Sequence, residues 1–286
     1  MGKCDVCFRR CEIAEGKLGL CGARTCRGGE IVQANYGKIT SLALDPIEKK
    51  PLNRFYPGSL ILSAGSYGCN LRCPFCQNYE ISWSEEARKF AETAEVISPE
   101  EMAQTAAYYR GEGNIGVAFT YNEPLIGYEY ILDTAKLIRK LGMKTVLVTN
   151  GTASLSVLEK LAPYIDAMNI DLKGFTDRYY RDVLKGDRGM VMAFIKRAVQ
   201  TCHVELTTLI IPGENDSEEE MDALSRWISE LKDGEGNCVG REVPLHISRF
   251  FPRFKMQDRR ATDVRLIYRL AEVAGSHLKY VYTGNC

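Results

Sequence analysis

From residue 59 onward, short apolar runs alternate with stretches of helical period. The runs at 60–64 (Leu-Ile-Leu-Ser-Ala), 115–119 (Ile-Gly-Val-Ala-Phe), 144–148, 166–171, 204–210, 243–248 and 278–282 predict strands. Apolar positions at helical spacing predict helices over 99–111, 125–141, 154–162, 189–201, 217–232 and 262–275. Ser98-Pro99-Glu100-Glu101 places a capping residue and a first-turn proline ahead of acidic residues, which marks a helix start. Leu141-Gly142 marks a helix end. Regular strand–helix alternation implies βαβ units around a parallel sheet. A doubly wound sheet and a full or partial βα barrel satisfy this periodicity equally. Either architecture puts its chemistry at the C-terminal ends of the strands.

The first 58 residues differ in character. Residues 1–29 are rich in Cys, Gly and Arg and lack a helical period, so they predict a metal-knit or loop-rich cap. Residues 30–36 and 38–44 read as two strands around Gly37, and Asp45 to Leu52 as a polar connection bounded by prolines. The expected organisation is therefore a Cys-rich extension over 1–58, with a short β-hairpin, and an α/β domain over 59–286. There is no internal repeat and no low-complexity tract.

Composition narrows the function classes. The 286 residues are 45% hydrophobic and 26% charged, which is the balance of a globular chain with a real core. Lys+Arg and Asp+Glu both number 37, which makes non-specific nucleic-acid binding a poor expectation. No apolar run approaches the roughly 18 residues that cross a bilayer, and the N-terminus lacks an apolar signal region. A cytoplasmic protein without a membrane partner is the expectation. Of 11 cysteines, Cys4, Cys7, Cys11, Cys21 and Cys26 lie in the first 26 residues, and Cys69, Cys73 and Cys76 form a second group. Clustered cysteines in a chain without an export signal favour metal or cluster ligation over disulfides.

The second group carries the chemistry. The strand at 60–64 runs into Gly65-Ser66-Tyr67-Gly68-Cys69-Asn70-Leu71-Arg72-Cys73-Pro74-Phe75-Cys76-Gln77-Asn78. The spacing is Cys-x3-Cys-x2-Cys, with Phe75 just before the last cysteine. Three thiolates on one tight loop suit an iron–sulfur cluster. Three ligands for four irons leave one iron open for an exogenous ligand, whereas a closed four-cysteine site mainly passes electrons. A three-cysteine zinc site completed by a distant His or Cys is the competing reading.

This loop resembles the signature of the radical S-adenosylmethionine (SAM) superfamily, and the surrounding chain resembles its pyruvate formate-lyase activating enzyme branch. More narrowly it is similar to AmmeMemoRadiSam-type radical SAM proteins. The narrower resemblance rests on Leu44–Leu52, Cys69–Asn78, Phe119-Thr120-Tyr121-Asn122-Glu123-Pro124 and His246-Ile247-Ser248-Arg249-Phe250-Phe251-Pro252. It implies a partial (β/α)6-type TIM barrel. It implies that Cys69, Cys73 and Cys76 hold a 4Fe–4S cluster whose fourth iron is chelated by SAM. One-electron reduction would cleave SAM to methionine and a 5′-deoxyadenosyl radical, which takes a hydrogen atom from a small-molecule or protein substrate. A glycyl-radical activase is one such outcome. Reduced flavodoxin or ferredoxin would supply the electron. A zinc-binding or electron-transfer module without SAM chemistry is the alternative.

The resemblance also assigns residues. Glu123 matches the last position of a Gly-Gly-Glu-type motif that engages the methionine ammonium, a charge-assisted contact. Tyr121 and Asn122 stand where relatives carry the glycines. Thr149 and Asn150 match a second SAM-side loop, although an ordinary Asn-Gly turn reads the same. Asp171 and Lys173 lie two apart at a strand end, facing the active site or forming a plain ion pair. Leu209 to Asp216 matches a loop beneath the adenosine, or is a buried strand. Phe75 is counted with the SAM-side residues, as is His246, which is equally readable as a satisfied core histidine. His203 and His277 read as structural.

Two further features stay open. Cys4-x2-Cys7-x3-Cys11-x9-Cys21 offers four thiolates for zinc or for a second iron–sulfur cluster, as electron relay or substrate anchor, with Cys26 as a substitute ligand. Arg249, Arg253, Lys255, Arg259 and Arg260, interleaved with Phe250, Phe251 and Phe254, would grip a phosphate, a nucleic acid or a protein loop, or form a solvated loop with its aromatics packed down.

Overall fold

A computed structural model describes residues 1–286. One eight-stranded sheet organises it: β1 (Ser41–Pro46), β2 (Leu60–Gly65), β3 (Asn114–Phe119), β4 (Lys144–Thr149), β5 (Ala167–Asp171), β6 (His203–Ile210), β7 (Leu245–Arg249) and β8 (Val281–Gly284). The strands lie in chain order from β1 to β8. All neighbours from β2 to β8 are parallel, and β1 runs antiparallel along the outer edge of β2. Helices fill the six crossovers: α1 (Glu85–Thr93) and α2 (Pro99–Tyr108) in the first, then α3 (Tyr128–Lys140), α4 (Leu155–Leu161), α5 (Arg188–Ala198), α6 (Glu218–Ser229) and α7 (Val264–Gly275). Because β1 and β8 do not pair with each other, the barrel stays open, as a partial (β/α)6 barrel does. No helix is long and apolar enough to cross a membrane.

The predicted strands and helices form close to their expected bounds. Ser98 caps α2 as its sequence implies: its hydroxyl accepts from the Glu101 amide, and the Glu101 carboxylate accepts from the Ser98 amide at 2.7 Å. The short helix Tyr79–Ser82, α1 and the π-turn Tyr179–Leu184 were not expected.

The expected hairpin around Gly37 does not form. Residues Glu30–Gln33 pair instead with Arg24–Arg27 across Gly28-Gly29, both at positive φ, which is a two-residue hairpin turn. Lys38–Ile39 pairs with Glu95–Val96, and residues from Ser41 onward pair with β2 as strand β1. A sheet edge offered by β2 outcompetes a local partner, so the N-terminal part contributes a strand to the main sheet.

The connection from Ile47 to Arg54 is the floor of the barrel, not a surface linker. Ile47 and Leu52 are fully buried against Ile61, Ala118, Val146 and Ala167. The last three are direct register partners on β3, β4 and β5. Above them sits Glu205 on β6, fully buried. Its carboxylate accepts from the Asn53 and Arg54 amides at 3.0 and 2.7 Å, and pairs with Nε2 of His203 at 2.9 Å and of His246 at 2.6 Å. Burial alone would raise its pKa, but these partners outweigh burial and hold it at about 2. Its contribution to stability is complete above the unfolded carboxyl value of roughly 4.3 and is lost as pH falls through about 2. Glu205→Ala strands two imidazoles and two amides in the core. Anaerobic urea denaturation is expected to show a loss of about 3–5 kcal/mol, and an unchanged midpoint would refute the role of this carboxylate in closing the floor.

Candidate active site

The loop after β2 lacks regular structure and is held by distant segments. The Cys69 amide donates to the Cys21 carbonyl at 3.2 Å, and the Arg72 amide to the Leu184 carbonyl at 2.9 Å. Lys255 donates its amide to the Pro74 carbonyl at 2.9 Å, and the Asn70 side chain donates to Thr152 Oγ1 at 2.9 Å. Arg72 also bonds the carbonyls of Cys69, Leu71 and Leu20. Gly68 precedes the first thiol at φ +98°, and a Cβ there would lie 2.6 Å from the Cys21 carbonyl oxygen. Only glycine fits this crossing.

Cys69, Cys73 and Cys76 face one cavity of about 740 Å³ at the C-terminal ends of the strands. Burial pushes all three thiols up, Cys73 to about 12, and the charges of Glu123 and of the other two thiols push Cys69 further. Without a metal they are neutral, so loading must displace their protons. Three converging thiols beside an open cavity fit a cluster wider than one ion, with a free corner facing the space.

All nine expected cofactor-side residues reach this cavity: Phe75, Tyr121, Asn122, Glu123, Thr149, Asn150, Asp171, Lys173 and His246. Their bonds separate them. Glu123 is 3% exposed and accepts from Thr149 Oγ1 at 2.6 Å, the Asn150 amide at 2.7 Å and the Leu125 amide at 3.0 Å. Burial raises its pKa to about 7 against these bonds. Asn150 turns its side-chain amide to Asn70 Oδ1 at 3.0 Å and lies 3.8 Å from Cys69 Sγ. Gly151 has positive φ, so the Asn-Gly turn and the cavity-side loop are the same feature. Asn122 is spent on structure: it accepts from the Ser66 amide and donates to the Gly68 carbonyl.

Asp171 and Lys173 pair at 2.7 Å, and both side chains line the cavity. Burial opposes the lysine's charge, but Asp171 and Cys73 hold its pKa above the ordinary lysine range. His246 is both a satisfied histidine, through Glu205, and a cavity wall, stacked on Tyr282 with ring centroids 5.2 Å apart. Leu209 lines the cavity, while Ile210 and Ile211 are buried behind it.

Sequence reasoning missed a charged group on the wall. Lys50 is 2% exposed, pairs with Asp45 at 2.9 Å, and sits 4.7 Å from the centroid of the Tyr121 ring. Tyr121 donates its hydroxyl to the same carboxylate at 2.6 Å and holds φ +71°, a left-handed backbone that non-glycine residues seldom adopt. The Asp45-to-Lys50 stretch was the available signal, but it reads as solvent-exposed charge until the floor folds inward.

The basic–aromatic stretch packs down in part. Phe250 is buried, Phe254 stacks on Tyr79 with centroids 4.3 Å apart, and Lys255 sits over Trp83, while Phe251 stays 44% exposed. Arg249 bonds the Thr262 carbonyl, and Arg259 bonds the Pro212 carbonyl and Glu214. This segment braces the cysteine loop.

Cys4, Cys7, Cys11 and Cys21 line a second, smaller cavity behind that loop. Burial pushes Cys21 up to about 11. Cys26 is outside the set, fully buried with its sulfur 3.4 Å from the Glu15 carboxylate.

Comparison with known proteins agrees with this geometry. Residues 64–224 match the Radical SAM superfamily. An uncharacterized protein of Methanocaldococcus jannaschii is 39% identical over 99% of this chain and 81% of its own. The pyruvate formate-lyase-activating enzyme of Clostridium pasteurianum is 28% identical over 59% of this chain and 69% of its own. Among solved structures, SuiB of Streptococcus suis bound to S-adenosylmethionine superposes with a TM-score of 0.59 at 16% identity, covering 80% of this chain and 52% of SuiB. That last likeness concerns the fold. A family whose cofactors are a 4Fe–4S cluster and SAM accounts for the thiol trio and the cavity beside it, and the chain belongs to the radical SAM superfamily.

Proposed function

We propose that this protein is a radical SAM enzyme of the activating type, with Cys69, Cys73 and Cys76 as cluster ligands and Glu123 as the receptor for the SAM ammonium. One observation carries the reading: the three thiols and the one buried carboxylate lining the cavity, bonded only by neutral donors, meet in the same space. Asp45 and Asp171 already face ammonium groups, and Glu205 faces two imidazoles. Glu123 has only a hydroxyl and two amides. A buried carboxylate without a counter-charge is costly, and a ligand ammonium placed there relieves that cost.

The cluster with SAM supplies reductive cleavage to a 5′-deoxyadenosyl radical. The protein's residues do the positioning. Thr149 and Asn150 hold Glu123 in one orientation. Asp171–Lys173 and Asp45–Lys50–Tyr121 present fixed polar groups, and Phe75, Val148 and Leu209 exclude water from their part of the wall. Drug-sized ligands fill cavities of roughly 300–1,000 Å³, so about 740 Å³ admits a SAM-sized molecule with a substrate group beside it. An electron-transfer module without SAM chemistry has no use for such a space. The pyruvate formate-lyase-activating enzymes among the relatives favour a protein as the hydrogen source.

Anaerobic protein reconstituted with iron and sulfide and reduced with dithionite is expected to release 5′-deoxyadenosine from SAM. Alanine at Cys69, Cys73 or Cys76 is expected to abolish that release, and turnover by any of the three variants would refute its assignment. Glu123→Ala is expected to weaken SAM binding by about 1.5–3 kcal/mol, the worth of a charge-assisted hydrogen bond, read by calorimetry on reconstituted protein. Unaltered affinity would remove Glu123 from the site. For the substrate, incubation with deuterated cell extract should transfer deuterium into 5′-deoxyadenosine. Label that tracks only with small molecules after size fractionation would overturn the protein-substrate reading.

A further inference from the structure

We infer that the β7–β8 wall of the large cavity is a subsite for a neutral amide of the substrate. Nδ1 of His246 accepts the amide N–H there, and the hydroxyls of Ser248 and Tyr282 stand ready to donate to the carbonyl. The inference rests on the proposed reading for the protein nature of the substrate, and on the geometry below for the chemistry of the wall.

The first observation is how His246 is held. Its Nε2 lies 2.6 Å from the Glu205 carboxylate. An ionised carboxylate only accepts, so the ring proton belongs on Nε2 and Nδ1 of the neutral imidazole is an acceptor. His203 and the Asn53 and Arg54 amides take up the rest of the same carboxylate, so its charge is shared among four donors instead of being reserved for one imidazolium. Tyr282 stacks on the ring with centroids 5.2 Å apart and fixes its plane. No protein group bonds Nδ1, and the ring lines the cavity. A ring nitrogen oriented through its opposite edge by a carboxylate is the arrangement by which an imidazole is presented to a ligand.

The second observation is what surrounds that nitrogen. Alternation along β7 puts His246 and Ser248 on one face, and the strand register sets Tyr282 beside His246. Ser248 and Tyr282 also line the cavity, and no hydrogen bond to the protein holds either hydroxyl. Gly284, opposite Ser248, leaves that hydroxyl its room: a Cβ there would lie 3.2 Å from Oγ. Thr207, by contrast, is spent. It donates to Asn169 Oδ1 at 2.9 Å, and Asn169 donates to the Pro51 carbonyl at 2.9 Å.

These groups select by charge as well as by hydrogen bonding. The cavity's lysines, Lys49, Lys50 and Lys173, all face carboxylates, so an anion meets the Nδ1 lone pair with no uncommitted cation to offset it. A cation finds no vacant carboxylate on this wall, because Glu205 is filled. A neutral group with a donor and an acceptor side by side fits, and an amide is that group. The place is also separate from the proposed SAM contacts. β7 runs three residues beyond His246 to Arg249, so the ring sits roughly 10 Å below the strand end. Thr149 and Asn150 lie at the end of β4, three strands away. A ligand ammonium at Glu123 leaves this corner open for the substrate.

The test uses the full chain, reconstituted anaerobically and isotopically labelled at histidine nitrogen. The probe is N-acetylglycine N-methylamide, a neutral peptide. By nuclear magnetic resonance, His246 is expected to show a protonated Nε2 and a bare Nδ1, identified by their loss in His246→Leu. Titration with the peptide, with and without SAM, is expected to shift the Nδ1 resonance, whereas acetate and methylammonium leave it in place. With deuterated cell extract, the deuterium carried by each 5′-deoxyadenosine released is expected to fall roughly two- to tenfold in His246→Leu and in Ser248→Ala, the worth of one neutral hydrogen bond. Dividing by total release cancels any effect on SAM cleavage itself, and Ser248→Ala leaves the buried Glu205 group intact. A proton on Nδ1, a resonance that the peptide does not move, or a wild-type deuterium ratio in either variant would overturn the subsite. A peptide-induced shift in a wild-type protein that releases no 5′-deoxyadenosine would support the subsite and count against the radical SAM reading alone.

Discussion

A loop without regular secondary structure keeps three thiols in place because distant segments hold it at several points. The N-terminal extension supplies the Cys21 carbonyl, the turn after β5 the Leu184 carbonyl, the loop after β4 Thr152, and the segment after β7 the Lys255 amide. Each is remote in sequence, and each is positioned by its own packing on the barrel. A buried backbone group left unpaired costs about as much as a lost hydrogen bond, so the loop adopts the one path on which these partners coincide. Gly68 permits that path, since a Cβ would meet the Cys21 carbonyl. The short cysteine motif is therefore chemically self-explanatory but structurally dependent on most of the chain.

This dependence marks what the sequence makes legible. Element type follows from local periodicity, and the parallel strands and most helices could be read directly. The cysteine trio is legible because thiolate spacing on one loop is itself local. Partnerships across the barrel are not. His203, Glu205 and Thr207 alternate with apolar residues along β6, the pattern that ordinarily marks a solvent-facing strand surface. Here that face points inward, onto a polar interior. Glu205 meets His246 across 41 residues and the Asn53 amide across 152, separations at which no local signal survives. The misplaced hairpin has a different origin. Gly28-Gly29 is a compact local turn, and its reach was assigned to Gly37 instead.

A polar interior raises an energetic question, since buried charge is expensive. The barrel answers it with closed groups. Lys50 is matched by Asp45, with the Tyr121 hydroxyl taking part of the same carboxylate. Lys173 is matched by Asp171, and Glu205 is surrounded by four donors. These groups are mutually satisfied before anything binds, so they act as a rigid wall whose dipoles need little reorganisation when a ligand arrives. The strain at Tyr121 fits the same logic. Its left-handed backbone persists because the ring and the hydroxyl are both held, against Lys50 and Asp45.

Glu123 departs from that closure, and the departure has a direction. Three neutral donors orient its carboxylate while burial works against its charge, leaving its pKa near neutrality. Evolution of a purely structural site would remove such a group or pair it, as the buried carboxylates Asp45 and Glu205 are paired. Retaining an oriented, uncompensated carboxylate beside Cys69 makes sense where the counter-charge arrives from outside. On the proposed reading, a cationic ligand binds most strongly where the empty protein is least content, and the same cation that ionises Glu123 is seated next to the thiol trio. Affinity and placement would then come from a single electrostatic deficit, and this position, more than the ion pairs around it, would set what the cavity selects.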